Sequence, residues 1–216
     1  MNCRGMALVT GLLLMAAVAL LAVTAAGNMT LQQQQAANFT DRQRARNNAD
    51  LAESYATAWL YSRDGMERQT DCTINCVLPV GIYRDSQIKD RPEFESATWW
   101  QDMATAAGRD PLSGDLPGYA ARNSTDAVWI IEEIHFQAGM EDEQRQPGSA
   151  TGYYRIVSRG QGIHPGSVAV NEVIVARPWI EGMTAGDFPP GAPLIEFCRQ
   201  FNQDVACGIL SWRHRR

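Results

Sequence analysis

Residues 6–26 decide the fold and read MALVTGLLLMAAVALLAVTAA, 21 residues in which only Thr10 and Thr24 are polar. As an α-helix, a segment of this length spans about 30 Å, the thickness of a bilayer's hydrocarbon core. Arg4 is the only charged side chain before Asp41. A positive charge ahead of the apolar stretch favours a cytoplasmic N-terminus. The chain after Gly27 is therefore predicted to lie on the other side of the membrane.

Three interpretations of this segment are open. It is a cleaved secretory signal with Val23-Thr24-Ala25 as a loose cleavage site, an uncleaved signal anchor, or the apolar helix of a pilin-like protein. The apolar core of an ordinary signal peptide is shorter, roughly 7–15 residues. The helical pattern also continues beyond the apolar segment, which favours the third interpretation.

The continuation covers residues 31–62 and contains no proline. Its apolar side chains recur at three- and four-residue spacing, the period of one helix face. Gly65 stands where a helix stop is expected. The sequence therefore predicts one helix over residues 6–60, about 80 Å long, with a weak point at Gly27-Asn28. The residues predicted to pack on a domain are Ala45, Ala49, Ala52, Ala56 and Trp59, with Leu51, Tyr55 and Leu60 beside them.

Residues 63–216 are predicted to form a head with a β-sheet. Gly, Pro, Asp and Ser are scattered through residues 63–126, which leaves room for a short strand at 76–83 and a short helix at 95–107. Later strands are indicated by runs of β-branched and aromatic residues at 127–136, 152–158 and 167–176. Their loop connections predict an antiparallel meander with one face on the amphipathic helix, and Gly160-x-Gly162 indicates only a turn.

This order of features resembles the type IV pilins, and the residues are most similar to the PilX-type minor pilins. The leader junction RGMALV at 4–9 and the stretch LQQQQAAN at 31–38, followed by Asp41-Arg42, resemble motifs of that family. Gln stands here where the family has paired acidic residues. DLAE at 50–53 also resembles the family pattern.

The head carries a weaker part of the same resemblance. WIIE at 129–132 and YRIVSRG at 154–160 are similar to strand motifs of the family. The similarity covers residues 4–60 well and residues 128–176 more weakly. From about residue 178 the chain extends beyond the family pattern.

The resemblance implies an α+β, pilin-like fold: a long N-terminal helix, half apolar and half amphipathic, packed on a small antiparallel sheet. Residues 1–5 would be a leader peptide, removed by a prepilin peptidase that cuts between Gly5 and Met6, after which Met6 is N-methylated. Residues 6–26 would form the transmembrane and assembly helix, and residues 27–62 its amphipathic continuation. Residues 63–216 would form the periplasmic head.

Position five of the mature chain falls on Thr10, beside Gly11 in the assembly helix. The major pilins carry Glu at this position, and its carboxylate neutralises the buried amine of a neighbouring subunit. A charge in such a bundle is costly unless it is paired, and a threonine hydroxyl cannot neutralise an amine. Two interpretations stay open: the subunit lies at or near a fibre tip, or Thr10 simply bonds back to its own helix.

The function implied is that of a minor pilin that helps to initiate a type IV pilus and so supports twitching motility indirectly. Its partners would be other minor pilins, the major pilin, the inner-membrane assembly platform, the prepilin peptidase and, before assembly, membrane lipid. It would reside in the bacterial inner membrane with a periplasmic head, and then in the fibre. A type II secretion pseudopilin and a membrane-anchored periplasmic binding module are the alternatives.

Four cysteines lie outside the predicted membrane segment: Cys72, Cys76, Cys198 and Cys207. An even number in an oxidising compartment indicates disulfides, and four cysteines allow three connectivities. Nearest-neighbour pairing is favoured over a crossed pairing that would tie the C-terminal tail to the segment after the helix. A zinc site is disfavoured because C-x3-C and C-x8-C are looser than zinc-ribbon spacings.

The sequence predicts no enzyme, no cofactor and no metal site. His135, His164 and His214 are far apart, and Glu132 and Glu133 would point to opposite faces of a strand. The acidic run EDE at 141–143 lacks the spacing of a calcium loop. A net charge of -5 argues against a dedicated nucleic-acid binder.

Two aromatic and basic features have no assigned role in the sequence. The pair Trp99-Trp100 is consistent with a core position or with an exposed contact patch. The chain ends in the cluster Trp212, Arg213, Arg215 and Arg216, which is predicted to be a frayed terminus.

Overall fold

A computed structural model describes residues 4–72, 76–112, 114–115, 126–138, 150–180, 183, 197–201 and 205–215. The chain divides into two compact units, Met1–Asp41 and Arg42–Arg216. Helix α1, Arg4–Ser62, contributes to both. The prediction of a single long N-terminal helix is therefore confirmed, and Gly27 and Asn28 are helical like their neighbours.

The second unit combines the amphipathic part of α1 with a six-stranded sheet of strand order β1-β5-β6-β7-β8, in which β2 also pairs with β5. A separate two-stranded sheet joins β3 and β4. The element bounds are β1 Ile82–Arg84, α2 Ala97–Met103, β2 Thr105–Ala106, β3 Arg109–Asp110, β4 Gly114–Asp115, β5 Ala127–Gln137, β6 Ala150–Gln161, β7 Val168–Trp179 and β8 Gly208–Arg215.

Strands β5, β6 and β7 form the antiparallel meander that the β-branched runs predict, with Ile131 opposite Ile156 and Ile156 opposite Val173. The sheet as a whole is mixed, because β1 runs parallel to β5. The prediction of a purely antiparallel sheet was therefore incomplete. The predicted strand at 76–83 lies later, at Ile82–Arg84, and the predicted helix at 95–107 is shorter, at Ala97–Met103.

The sheet buries both of its faces, because side chains alternate along each strand. In β5, Trp129 and Ile131 join the core beneath α1, whereas Val128 and Ile130 join a second core with Trp100 of α2. Trp100 is therefore a core residue. Trp99 packs edge-on against it and is partly exposed.

The amphipathic part of α1 supplies the larger core. Trp59 lies 5.5 Å from Trp129 between ring centroids, and its Nε1 donates to Asp110 Oδ1 at 3.0 Å. Every residue of the predicted packing face except Leu51, which is partly buried, is buried. The fully or nearly fully buried helix residues are Ala45, Ala49, Ala52, Tyr55, Ala56, Ala58, Trp59, Leu60 and Tyr61.

Gly160 sets how closely α1 approaches the sheet. It lies inside β6, opposite Ala127 and Ala169, so the prediction that it marks only a turn was wrong. A Cβ at Gly160 would overlap the Ala45 carbonyl oxygen and the Ala49 amide nitrogen, and would lie 2.8 Å from the Asn48 carbonyl carbon. These are backbone atoms of a packed helix, so no side-chain rotation relieves the clash.

Both disulfides join neighbouring cysteines, Cys72 to Cys76 and Cys198 to Cys207, each with 5.5 Å between Cα atoms. This is the pairing that the spacing favours over the crossed one. Cysteines joined in this way supply no thiolates to a zinc ion. The second disulfide closes immediately before β8 and fixes the point at which that strand begins.

We predict that Gly160→Ala lowers the free energy of unfolding by about 1–3 kcal/mol, the usual cost of overpacking a core. The helix backbone must shift to admit the methyl group. The measurement is thermal or urea unfolding of the full chain in detergent, followed by tryptophan fluorescence. Gly27→Ala is the control, because a Cβ there meets nothing within 4 Å. Equal stability of the two variants would contradict the close approach.

Candidate functional site

The first unit contains a large exposed apolar surface. Each of the large apolar side chains described in it, from Val9 onward, is at least 56% exposed. Within residues 5–40 the sequence has no charged side chain. The exposed residues are Val9, Leu12, Leu13, Leu14, Met15, Val18, Leu20, Leu21, Val23, Met29, Leu31 and Phe39.

This part of α1 is long and apolar enough to cross a membrane. A soluble monomer rarely exposes contiguous apolar surface of this extent, so the segment requires lipid or other apolar helices around it. A secretory signal near an N-terminus has the same properties, and length and composition alone do not distinguish the two.

Threonine hydroxyls of this segment bond back to the helix. Thr24 Oγ1 donates to the carbonyl oxygens of Leu20 and Leu21, at 3.1 and 2.9 Å. Thr30 Oγ1 donates to the Gly27 carbonyl oxygen at 2.8 Å. Hydroxyls bonded back in this way can enter an apolar environment at little cost.

The four predicted processing and assembly residues all fall within the helical span of α1. Gly5 and Met6 occupy its first turn, and Thr10 and Gly11 lie one turn further on. A Cβ at Gly11 would meet nothing within 4 Å, so this glycine leaves room for a close neighbour. The structure brings the four together by sequence proximity alone.

The second unit carries a polar cluster between α1 and the C-terminal strand. Asn171 of β7 donates through Nδ2 to Asp50 Oδ1 at 2.8 Å and to Glu53 Oε2 at 3.2 Å. Trp212 Nε1 donates to the same Glu53 oxygen at 2.9 Å, and His214 Nδ1 lies 3.0 Å from Asn171 Oδ1. Burial raises the pKa of Glu53 and the negative charge of Asp50 adds to this, while the two hydrogen bonds oppose it.

The opposite face of the C-terminal strand β8 is held by ion pairs. Arg213 Nε donates to Glu172 Oε1 at 2.7 Å, and Arg215 also pairs with Glu172. Arg215 Nη1 lies 2.9 Å from Glu93 Oε2 and donates to the Asp90 carbonyl oxygen at 2.7 Å. The prediction of a frayed terminus was therefore wrong for residues 212–215, because long-range partners on β7 and the 90–94 segment order them.

Glu132 and Glu133 point to opposite faces of β5, as alternation predicts. Glu132 pairs with Arg155 at 2.6 Å and accepts from the Ile88 amide nitrogen at 3.1 Å. Glu133 forms a bidentate pair with Arg68, both contacts at 2.9 Å. Each carboxylate is engaged in a structural ion pair, so the two do not form an acid–base dyad.

Arg177 is the most deeply buried charge in the described part of the chain. Its guanidinium lies 3.6 Å over the Trp179 ring and donates to the Arg63 carbonyl oxygen. Burial is the main cause that lowers its pKa, to about 10. The same burial raises the pKa of the neighbouring Tyr61 and Tyr154 hydroxyls, so this end of the sheet holds one cation among aromatic rings.

No metal-ligating group of three or more His, Cys, Asp or Glu side chains occurs among the described residues. His135 is exposed and packs on Tyr153 at 5.6 Å between rings, and His164 accepts from the Gly166 amide in a turn. The acidic run at 141–143 lies outside the described residues. Among the described residues lie two open polar grooves, of about 650 and 350 Å³.

Comparisons with known proteins found no match: no protein-family model, no curated protein and no solved structure matches this chain.

We predict that replacing Glu53 by Gln makes stability less sensitive to pH. Because folding raises the pKa of Glu53, the unfolded chain releases the carboxyl proton at a lower pH than the folded chain does. The stability gained from the protonated form is complete below the unfolded value of 4.5 and is lost as pH rises through the folded pKa. The melting temperature of Glu53→Gln, relative to wild type, should therefore rise between pH 4.5 and 7.

The control for this titration is Asp50→Asn. It removes the like charge that helps to raise the pKa of Glu53, so it should reduce the pH dependence without abolishing it. A difference curve for Glu53→Gln that is flat or falls with pH would show that burial does not govern this carboxylate.

Proposed function

We propose that this chain is a minor pilin that helps to initiate a type IV pilus, at or near its tip. The observation that carries the proposal is the division of α1: its first part is apolar, free of charge and exposed, and its last part is buried in a head. One helix therefore has to serve two environments, a lipid or helix bundle and a globular core.

The chemistry of the first part supports storage in a membrane followed by lateral transfer into a bundle of like helices. Both environments are apolar, so the move costs little hydrophobic burial. The absence of charge within residues 5–40 means that no side chain there needs a counter-ion in either place. The threonine hydroxyls that bond back to the helix serve the same end.

The short N-terminal segment supports processing by a prepilin peptidase. Gly5 and Met6 follow Arg4 and precede the apolar run, as the pilin resemblance requires. On this proposal the N-terminus is cytoplasmic, the head is periplasmic, and the partners are other minor pilins, the major pilin and the inner-membrane platform. Two disulfides suit a head in an oxidising compartment.

A type II secretion pseudopilin shares every feature used above and remains the second candidate. A periplasmic binding module on an anchor is the third, and the two open polar grooves of the head are the observation that favours it. Deletion of the gene separates the first two, because loss of surface pili and loss of protein secretion are distinct phenotypes.

The decisive experiment is mass spectrometry of the mature N-terminus, in cells with and without a prepilin peptidase. We expect an N-methylated Met6 that is present only when the peptidase is. An N-terminus near Ala26 would instead identify a cleaved secretory signal and would contradict the pilin proposal. An intact Met1 would identify a plain membrane anchor.

A tip position makes a further prediction for Thr10. At the tip no preceding subunit presents an amine, so the carboxylate of Thr10→Glu has no partner and should lower the number of surface pili, because an unpaired acid costs about 2.5–3.5 kcal/mol within a membrane. Leu14→Glu, one helical turn along the same segment, is the control for an unpaired acid. Electron-microscopic counts of pili report both, and we expect a similar loss in the two variants. Normal numbers of pili in Thr10→Glu beside a loss in Leu14→Glu would show that a neighbouring amine pairs with the new carboxylate, and would contradict the tip position.

A further inference from the structure

The C-terminal strand β8 forms an open edge of the main sheet. It is the last strand in the order, and among the described residues no strand lies beyond it. Every second residue of an edge strand directs its backbone N–H and C=O groups outward, where another extended chain can bond to them. We propose that β8 accepts a β-strand from a different protein chain, which extends the sheet by one strand.

Three side chains of β8 are apolar although they are exposed to solvent. Ile209, Leu210 and Trp212 are 53%, 51% and 54% exposed. They are adjacent on one edge, unlike the scattered single apolar residues of an ordinary surface. An added strand would cover this surface at the same time as it pairs with the backbone.

The strand is held rigid although it contributes little to the core. At its start, the Gly208 amide donates to Tyr61 Oη at 3.1 Å, directly after the Cys198–Cys207 disulfide. Further along, Trp212 bonds to Glu53, and Arg213 and Arg215 pair with Glu172. Anchors on both faces fix an edge that burial alone would not order, and an edge already fixed pays less entropy when a strand is added.

The second half of β8 lacks two of the usual defences of an edge strand, a bulge and a proline. A bulge interrupts the register at Leu210, between the pairs Ile174–Ser211 and Val175–Ile209. Residues 211–215 pair regularly with β7 and include no proline. Five regular residues therefore remain open to an incoming strand.

Charge along one face of the edge defines the chemistry of the partner. A groove of about 650 Å³ runs beside β8 on the α2 side of the sheet and includes the exposed ring of Phe94. The side chain of Arg213 remains 63% exposed there, even though it is paired with Glu172. The charged residues that line this groove are Arg91, Arg155, Arg213 and Arg215, together with Asp90 and Glu93, and His214 lies beside them. The incoming strand should therefore alternate an acidic side chain toward Arg213 with an apolar one toward Leu210 and Trp212.

This inference concerns a surface that the proposed assembly helix does not use. It does not depend on cleavage after Gly5. The proposal of strand addition can therefore hold where the pilin proposal fails, and the pilin proposal can hold where strand addition fails. The N-terminus measurement and the edge measurement below give separate answers.

The test is site-specific photo-crosslinking of the full-length chain in its native cells. A photoreactive residue is placed at Ser211 and, separately, at Arg213, and the crosslinked sites on the captured chain are mapped by mass spectrometry. Strand addition predicts one protein captured by both probes. Its crosslinked residues should shift by two positions when the probe shifts by two, because paired strands advance together.

Two edge variants make the result specific. Leu210→Lys adds a charge to the exposed edge and should lower the yield of the adduct about tenfold. Val80→Lys is the matched control, since Val80 is 60% exposed but lies before β1, at the other end of the strand order. It should leave the yield unchanged, and melting temperatures should show that both variants are folded.

Three results would overturn the proposal. Crosslinks that do not move with the probe would indicate a contact other than a paired strand. Crosslinks to a second copy of this chain would replace the foreign strand by self-association. Equal loss of adduct in Leu210→Lys and Val80→Lys would show that the edge does not decide the contact.

Discussion

The packing of α1 against β6 is the contact on which the head depends. Gly160 lets the helix backbone at Ala45 and Ala49 come within contact distance of the strand, and three alanines surround it. This close approach seats Trp59 against Trp129 and buries one face of the central strands. A larger side chain at this one position would hold the helix away from the core that it completes.

The same helix has opposite requirements at its two ends. Near the C-terminal end, Tyr61 and its neighbours are buried among strands, and Tyr61 donates to the Ala176 carbonyl oxygen. In the first unit the apolar residues face outward, with no charge in residues 5–40. Hydrophobic surface of that kind is stable only in lipid or against other helices, which is why the function is sought in a membrane-borne assembly.

The polar interior of the head fixes the geometry of its strands. Glu132, Glu133 and Glu172 are each engaged by arginine, and Arg177 is enclosed by aromatic rings. Removing one member of such a pair strands a buried charge, so these groups constrain the fold. Their most specific effect is at β8, where ion pairs on one face and the Glu53–Asn171 cluster on the other hold an exposed strand in place.

The sequence by itself determined the long helix, its apolar and amphipathic parts and the three central strands, because these depend on local periodicity. It favoured the nearest-neighbour disulfides without excluding a crossed pairing. Only the tertiary structure decided the parallel pairing of β1, the role of Gly160 and the formation of an ordered strand by residues 208–215. Each of these depends on a partner far along the chain: Ile131 for Ile82, Ala45 for Gly160 and Glu172 for Arg213. β8 lacks a buried alternating pattern since most of its side chains face solvent, and its stability comes from long-range ion pairs that a sequence does not display.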